Sequence, residues 1–243
     1  VNLENKVVVI TGAAQRVGRV IALELARRGA DIAFTWFYAG EPHAQTQAEI
    51  EALGRRTFAA RVDVANGVQL RGFIDDAAQA LGRIDVLINS AGVWLNKPFM
   101  EITDEEWDFA LTVNLRGPFT ASQAAARHML AGGGGVIINI TDLSAFQVWP
   151  GNAHHAAAKS GLVSLTKSMA VELATTIRVN AIAPGTVLLP ENAPQSKRDW
   201  AEGKSVLKRI GSPEDVAKTA AFLIEMDFAT GGVYFMDGGR ALV

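Results

Sequence analysis

The chain contains no cysteine. Disulfide staples, thiolate nucleophiles and cysteine-ligated zinc are therefore excluded. Histidine is scarce, with four in 243 residues, and the adjacent pair at 154 and 155 gives no metal-ligand spacing, so no metal is expected. An excess of one charge is also missing. The 23 basic and 25 acidic residues leave a net charge of −2, which indicates no nucleic-acid or membrane partner. No apolar run has the length of a membrane span, and no signal peptide is visible, so a cytoplasmic protein is expected. Tyrosine occurs only at positions 38 and 234, so phenol chemistry has two possible sources at most.

What is present is a regular alternation. "KVVVI" is a short β-branched run, as expected of a strand buried on both faces. "RVGRVIALELARRG" follows, with Val17, Val20, Ile21 and Leu25 on one helical stripe and Gly29 as the stop. The strand-like segments "DIAFTW", "RTFAARVDV", "IDVLINSAG", "GGGGVIINIT", "IRVNAIAPG" and "GGVYFMDGG" each follow a helical stretch. The helix from Asp104 to about Leu130 is expected to break near Gly117–Pro118, and Ser212 and Pro213 read as the start of another helix. Alternation of this kind predicts right-handed crossovers. The expected fold is one α/β, Rossmann-type doubly wound domain over residues 1–243, with a seven-stranded parallel sheet flanked by helices. Residues 184–209 are polar and lack a sustained period, which fits either a lid or a plain surface excursion.

In such a sheet, ligands bind beyond the carboxyl ends of the strands, where strand order reverses. The first strand runs into "TGAAQRVG". Gly12 and Gly18 bracket a turn at a helix N-terminus, an arrangement suited to a pyrophosphate, although glycine also simply lets a strand turn. Asp63 closes the third strand, where a carboxylate can accept an adenine amino group. "NSAG", Asn89 to Gly92, closes the fourth with small residues, and Pro184–Gly185 closes the sixth. Farther along, "HHAAAK" puts His155 and Lys159 four residues apart, on one face of a helix.

Together, "TGAAQRVG", "DV" at 63–64, "NSAG" at 89–92, Asn114 in "VNLRG", "HHAAAK", "PG" at 184–185 and "DGG" at 237–239 resemble the short-chain dehydrogenase/reductase family over essentially the whole chain. The resemblance implies a nicotinamide dinucleotide held by Gly12, Arg16, Val17, Gly18, Asp63, Val64, Asn89, Ala91, Gly92, Lys159, Pro184 and Gly185. It also implies a small-molecule substrate and a homotetramer built on the helix after Asp104 and the helix of His155. The family's active site is usually Ser, Tyr, Lys and Asn. Here Lys159 and Asn114 fill the last two positions, but His155 stands at the Tyr position and Asp142 at the Ser position. The Arg-bearing glycine loop and this Asp look most like the pteridine reductase branch. In that branch an aromatic residue near the place of Trp94 stacks on the pterin; a buried core tryptophan is the other reading of Trp94.

Carbonyl or imine reduction needs a hydride and a proton, and the family's tyrosine, its pKa lowered by the neighbouring Lys⁺, supplies the proton. Neither tyrosine here is placed to do so. An imidazole suits acid–base work near neutral pH, and a carboxylate at Asp142 would orient it, as in a hydrolase triad. In the pteridine-reductase-like reading Asp142 instead helps relay protons to a ring nitrogen. Reach argues against a simple swap, because imidazole ends roughly 2 Å short of a phenolic oxygen and ~1 Å of misplacement can cost ~100-fold. For the cofactor, the second strand ends "FTWFYAGE", with no acidic residue before Glu41, while Arg16 suits a 2′-phosphate. NADP(H) is therefore expected over NAD(H). The leading expectation is an NADP(H)-dependent oxidoreductase acting on a carbonyl or pteridine-like ring. Two alternatives stand beside it: a catalytically impaired dinucleotide-binding sensor or structural pseudoenzyme, and a His–Asp acid–base enzyme that binds the dinucleotide without consuming it.

Overall fold

Seven parallel strands form one sheet in the order β3-β2-β1-β4-β5-β6-β7. The computed structural model describes residues 2–243. The strands are β1 (Val7–Thr11), β2 (Asp31–Trp36), β3 (Thr57–Arg61), β4 (Val86–Asn89), β5 (Gly135–Ile140), β6 (Ile177–Pro184) and β7 (Val233–Met236). Between them run α1 (Arg16–Arg27), α2 (His43–Ala52), α3 (Gly67–Leu81), α4 (Asp104–Leu111), α5 (Gly117–Ala131), α6 (Ala153–Glu172), α7 (Gln195–Lys204) and α8 (Pro213–Glu225).

The period-2 alternation of strand side chains explains the layering. Val8 and Ile10 of β1 point into a core shared with Ile21 and Leu25 of α1 and Leu223 of α8. Val7 and Val9 point the other way, toward Leu70, Phe73 and Ile74 of α3 and Met129 of α5. Both faces are apolar, so the strands are continuous hydrophobic runs. Each fully buried Ile, Leu or Phe contributes about 1.5–3 kcal/mol. The helices start where the sequence supplies caps: Asn66 accepts from the Val68 and Gln69 amides, and Thr103–Glu106 and Ser212–Asp215 form capping boxes.

Two expectations are corrected. The helix from Asp104 does not break at Gly117–Pro118. A π-helical turn at Thr112–Arg116 joins α4 to α5 without interruption, and Pro118 sits at the start of α5, where its missing N–H costs little. A side chain at Gly117 would press on the Val64 carbonyl at 3.2 Å, so this glycine serves helix–loop packing. The stretch 184–209 is not all irregular: it contains α7, where Ala201 alone is buried, so no apolar stripe announces it. No helix among the described residues is long and apolar enough to cross a membrane.

Candidate active site

Strand order reverses between β2 and β4 on either side of β1, which opens a crevice at their carboxyl ends. A cleft of about 520 Å³ lies there, running from Phe37 and Tyr38 past the Gly12–Gly18 loop to Asp142, His155 and Lys159. Glycine is required along its floor. Gly12 has φ +67°, and a Cβ there would lie 2.9 Å from the Ala91 Cα. A Cβ on Gly18 would collide with the Gly12 carbonyl, and one on Gly92 would stand 2.9 Å from Asn114 Oδ1. The Thr11 hydroxyl accepts from the Ser90 and Ala91 amides, both at 3.1 Å, locking the two loops together.

Arg16, Val17, Asp63, Val64, Ala91, Gly92, Asn114 and Lys159 all line this cleft, as does Pro184. Two expected cofactor residues are placed otherwise. Asn89 is 2% exposed, and its amide donates to Ser122 Oγ at 3.0 Å and Asn139 Oδ1 at 2.8 Å. Its side chain braces β4 against β5 and α5 beneath the cleft and does not line it. Gly185 borders the adjoining cavity, and a Cβ there would sit 2.8 Å from the Asp237 Cα, so its smallness serves the β6–β7 turn.

At the end of the cleft that holds Asp142, His155 and Lys159, the polar groups form one connected set. Asn114, in the π turn, clasps Val93: its Oδ1 accepts from the Val93 amide and its Nδ2 donates to the Val93 carbonyl, both at 3.1 Å. The same carbonyl accepts from His155 Nδ1 at 3.0 Å. His155 Nε2 lies 2.7 Å from Asp142 Oδ2. Both ring nitrogens are therefore held, one by the Val93 carbonyl and one by the Asp142 carboxylate. The other carboxylate oxygen, Oδ1, accepts from the Ser144 amide at 2.8 Å and its hydroxyl at 2.5 Å.

Burial pushes the Asp142 carboxyl upward, but the hydrogen bond from His155, the charges of Lys159 and His155, and the bond from Ser144 outweigh it and hold the pKa at about 2. Lys159 is buried and donates to the Ile140 carbonyl at 2.9 Å. Desolvation lowers its pKa, and the nearby Asp142 charge opposes this. His155 is only 3% exposed whereas the Asp142 side chain is 20% exposed, so the carboxylate is the more open member of the pair, though both line the cleft. Trp94 covers the imidazole with ring centroids 4.5 Å apart and is itself 53% exposed, so it is no core residue.

Tyr38 lies at the opposite end of the cleft, and Tyr234 on β7 packs against the core. Sequence reasoning set Glu41 aside as standing too far beyond β2. It follows β2 by several residues, yet the turn folds it back: its Oε2 accepts from the Phe37 amide at 3.0 Å and its Oε1 from Gln15 Nε2 at 3.2 Å. A carboxylate therefore does line the Phe37–Tyr38 end of the cleft, although no acidic residue stands before Glu41 after β2. Ser144 was missed, although "DLS" carries the Asp-x-Ser signal of a side chain that caps its own turn.

A parallel sheet in this order, with a glycine cradle at its reversal point, defines a dinucleotide-binding α/β protein. A family model described as enoyl-(acyl carrier protein) reductase matches residues 12–241. The chain is 35% identical over 245 residues to L-rhamnose 1-dehydrogenase (NAD(P)(+)) of Sphingomonas sp. strain SKA58, covering 98% of this chain and 96% of the relative. It is 34% identical to the 3-oxoacyl-[acyl-carrier-protein] reductase of Staphylococcus epidermidis, covering 97% and 98%. A short-chain dehydrogenase/reductase from Serratia marcescens superposes with TM-score 0.93 at 33% identity, covering 99% and 100%. Carveol dehydrogenase from Mycobacterium avium, solved in complex with NAD, superposes with TM-score 0.94 at 28% identity, covering 100% and 99%. The chain belongs to the short-chain dehydrogenase/reductase family of oxidoreductases, which bind a nicotinamide dinucleotide. The cradle fits that group: a Cβ at Gly12 or Gly92 would fill the space beside Ala91 and Asn114.

Proposed function

We propose that the chain is an NADP(H)-dependent reductase of a carbonyl or pteridine-like ring substrate, with Asp142 and His155 in place of the family's Ser and Tyr. The observation that carries this reading is the partly exposed Asp142 carboxylate, hydrogen-bonded to buried His155 and beside buried Lys159 at one end of the dinucleotide cleft. When bound, the dinucleotide supplies a hydride to the carbonyl or imine carbon. The protein must then deliver one proton to the oxygen or nitrogen as its double bond to carbon becomes single.

The His155 ring is shielded by Trp94, so direct delivery from it is unfavourable. Asp142 meets the substrate instead. A proton crosses the 2.7 Å bond from His155 Nε2 to its carboxylate, which hands it on to the substrate. Asn114 is a positioning residue in this scheme, because it holds the Val93 carbonyl that fixes His155 Nδ1. Trp94 supplies a flat apolar surface for the substrate ring. A second reading, a dinucleotide-binding protein without turnover, is favoured by one feature: both imidazole nitrogens are committed internally. Titration with NADPH and NADH, followed by NADPH oxidation across pterins, quinones and simple carbonyls, separates the two. Turnover on any member supports the reductase. Tight binding without turnover supports the second reading.

For the cofactor, Arg16 lines the cleft, is exposed and has no ion pair among the described residues. It is the group we assign to the 2′-phosphate. Glu41 opposes it, but both its oxygens already accept hydrogen bonds, which moderates its repulsion. Arg16→Ala is expected to weaken NADPH at least about tenfold more than NADH, as for a lost charge-assisted pair. Glu41→Gln is expected to strengthen NADPH relative to NADH. Equal effects on the two cofactors in both variants would remove the 2′-phosphate assignment.

A further inference from the structure

Beyond Asp142 the cleft opens into a second cavity of about 1080 Å³, under α7 and the C-terminal turn. Its wall has an unusual composition. Trp94, Trp149 and Trp200 line it, together with Arg240, Lys197 and Lys204. Trp94 and Trp149 are neighbours, with centroids 5.9 Å apart. The Arg240 guanidinium stands 4.9 Å from the Trp149 ring and 4.9 Å from the Trp200 ring. From His155 the contacts thus run through Trp94 and Trp149 to Arg240, so two indole rings separate the proton-bearing pair from a cation.

The fold fixes that cation. Gly238 and Gly239, at φ +62° and +81°, turn the chain after β7, and both Asp237 oxygens are used within this turn by the Gly239 and Ala241 amides. The nearest carboxylate is therefore occupied, and no ion pair to Arg240 exists among the described residues. The guanidinium donates one side-chain hydrogen bond, from Nη1 to Thr186 Oγ1 at 2.9 Å, which leaves most of its five N–H groups for a ligand. Lys197, Trp200 and Lys204 recur at intervals of three and four along α7, so one face of this helix presents both lysines and the indole to the cavity. Asp142 is the one acidic residue on the wall, and it is already paired with His155.

We propose that the substrate is a flat carbonyl or ring-imine compound carrying a carboxylate arm, with its ring against Trp94 and Trp149 and its carboxylate on Arg240. A planar guanidinium held between indoles suits a carboxylate by paired N–H donation, and the indoles reward a planar body. The spacing explains why charge and chemistry sit apart: the reducible group lies at Asp142 while the anion lies beyond the second indole. This inference rests on the reductase reading for turnover, but not for binding.

The test uses the protein with NADP(H) bound. 4-Formylbenzoate is compared with its methyl ester, which removes the charge, and with 6-oxohexanoate, which removes the ring. The aromatic acid is expected to show a KM at least about tenfold below both, and Arg240→Gln is expected to erase its advantage over the ester. An ester that matches the acid, or an acid preference that survives Arg240→Gln, overturns the proposal. Quenching of tryptophan fluorescence by terephthalate and by terephthalamide gives an independent readout. If no probe turns over, the binding readout decides the proposal. Terephthalate binding that exceeds that of the amide and is lost in Arg240→Gln still upholds the anion site, and equal binding of the two overturns it.

Discussion

Replacing His155 by phenylalanine is expected to cut turnover at least ~100-fold, at the low end of what a positioned acid–base group contributes, with dinucleotide affinity within about threefold of the parent. The split follows from the geometry. The phenyl ring preserves the surface under Trp94, but it removes the Nε2 contact with Asp142 and the bond to the Val93 carbonyl. Lys159 keeps its own bond to Ile140, and the Gly12–Gly18 cradle is untouched. The measurement is NADPH oxidation beside an NADPH titration of the same preparation. Full turnover in this variant would show that His155 carries no proton and that Asp142 is supplied from solvent.

His155→Tyr is the complementary change. A phenol reaches roughly 2 Å farther than imidazole, so it can meet the substrate directly and raise reduction of simple carbonyls. No gain, with folding and NADPH binding preserved, would show that the cleft is shaped for delivery through Asp142.

Sequence periodicity reached the layers and not the cross-links. The β-branched runs at Val7–Ile10 and Val136–Ile140 read directly as buried strands, because their apolar residues serve both faces of the sheet. The pairing of Asp142 with His155 was legible through the family spacing, which places them thirteen residues apart. Which member is the more open to the cleft was not legible, since that depends on Trp94 folding over the imidazole. Glu41 was set aside because its return to the Phe37 amide is a property of the turn, invisible to strand-end counting. Asn89 sits at a strand end like the true lining residues, but strand alternation turns its side chain down into the sheet-and-helix network. The cluster of Arg240 with Trp149 and Trp200 joins three separate loops and helices, and no local pattern announces such a meeting.

Asp142→Ala tests the same pair from the other side. Truncating one partner of a buried ion pair often costs about 3–5 kcal/mol, because the remaining charge is stranded. Here the loss is smaller, because the pair is partly open to the cleft: the Asp142 side chain is 20% exposed. About 2 kcal/mol is expected, close to what the downward pKa shift of Asp142 itself represents. For a chain of this size that corresponds to a melting temperature lower by about 4–8 °C.

The pH dependence has a definite sign. The folded carboxyl titrates at about 2, below its ordinary value of 3.8, so its contribution is complete above pH ~4 and disappears as the pH falls toward 2. The parent and Asp142→Ala proteins should therefore differ most at neutral pH and converge in acid. Denaturant unfolding at pH 7, 4 and 2.5 measures this directly. A gap that stays constant down to pH 2.5 would mean that the alanine removes packing and turn hydrogen bonds around Ser144, and that the ion pair contributes nothing to the fold.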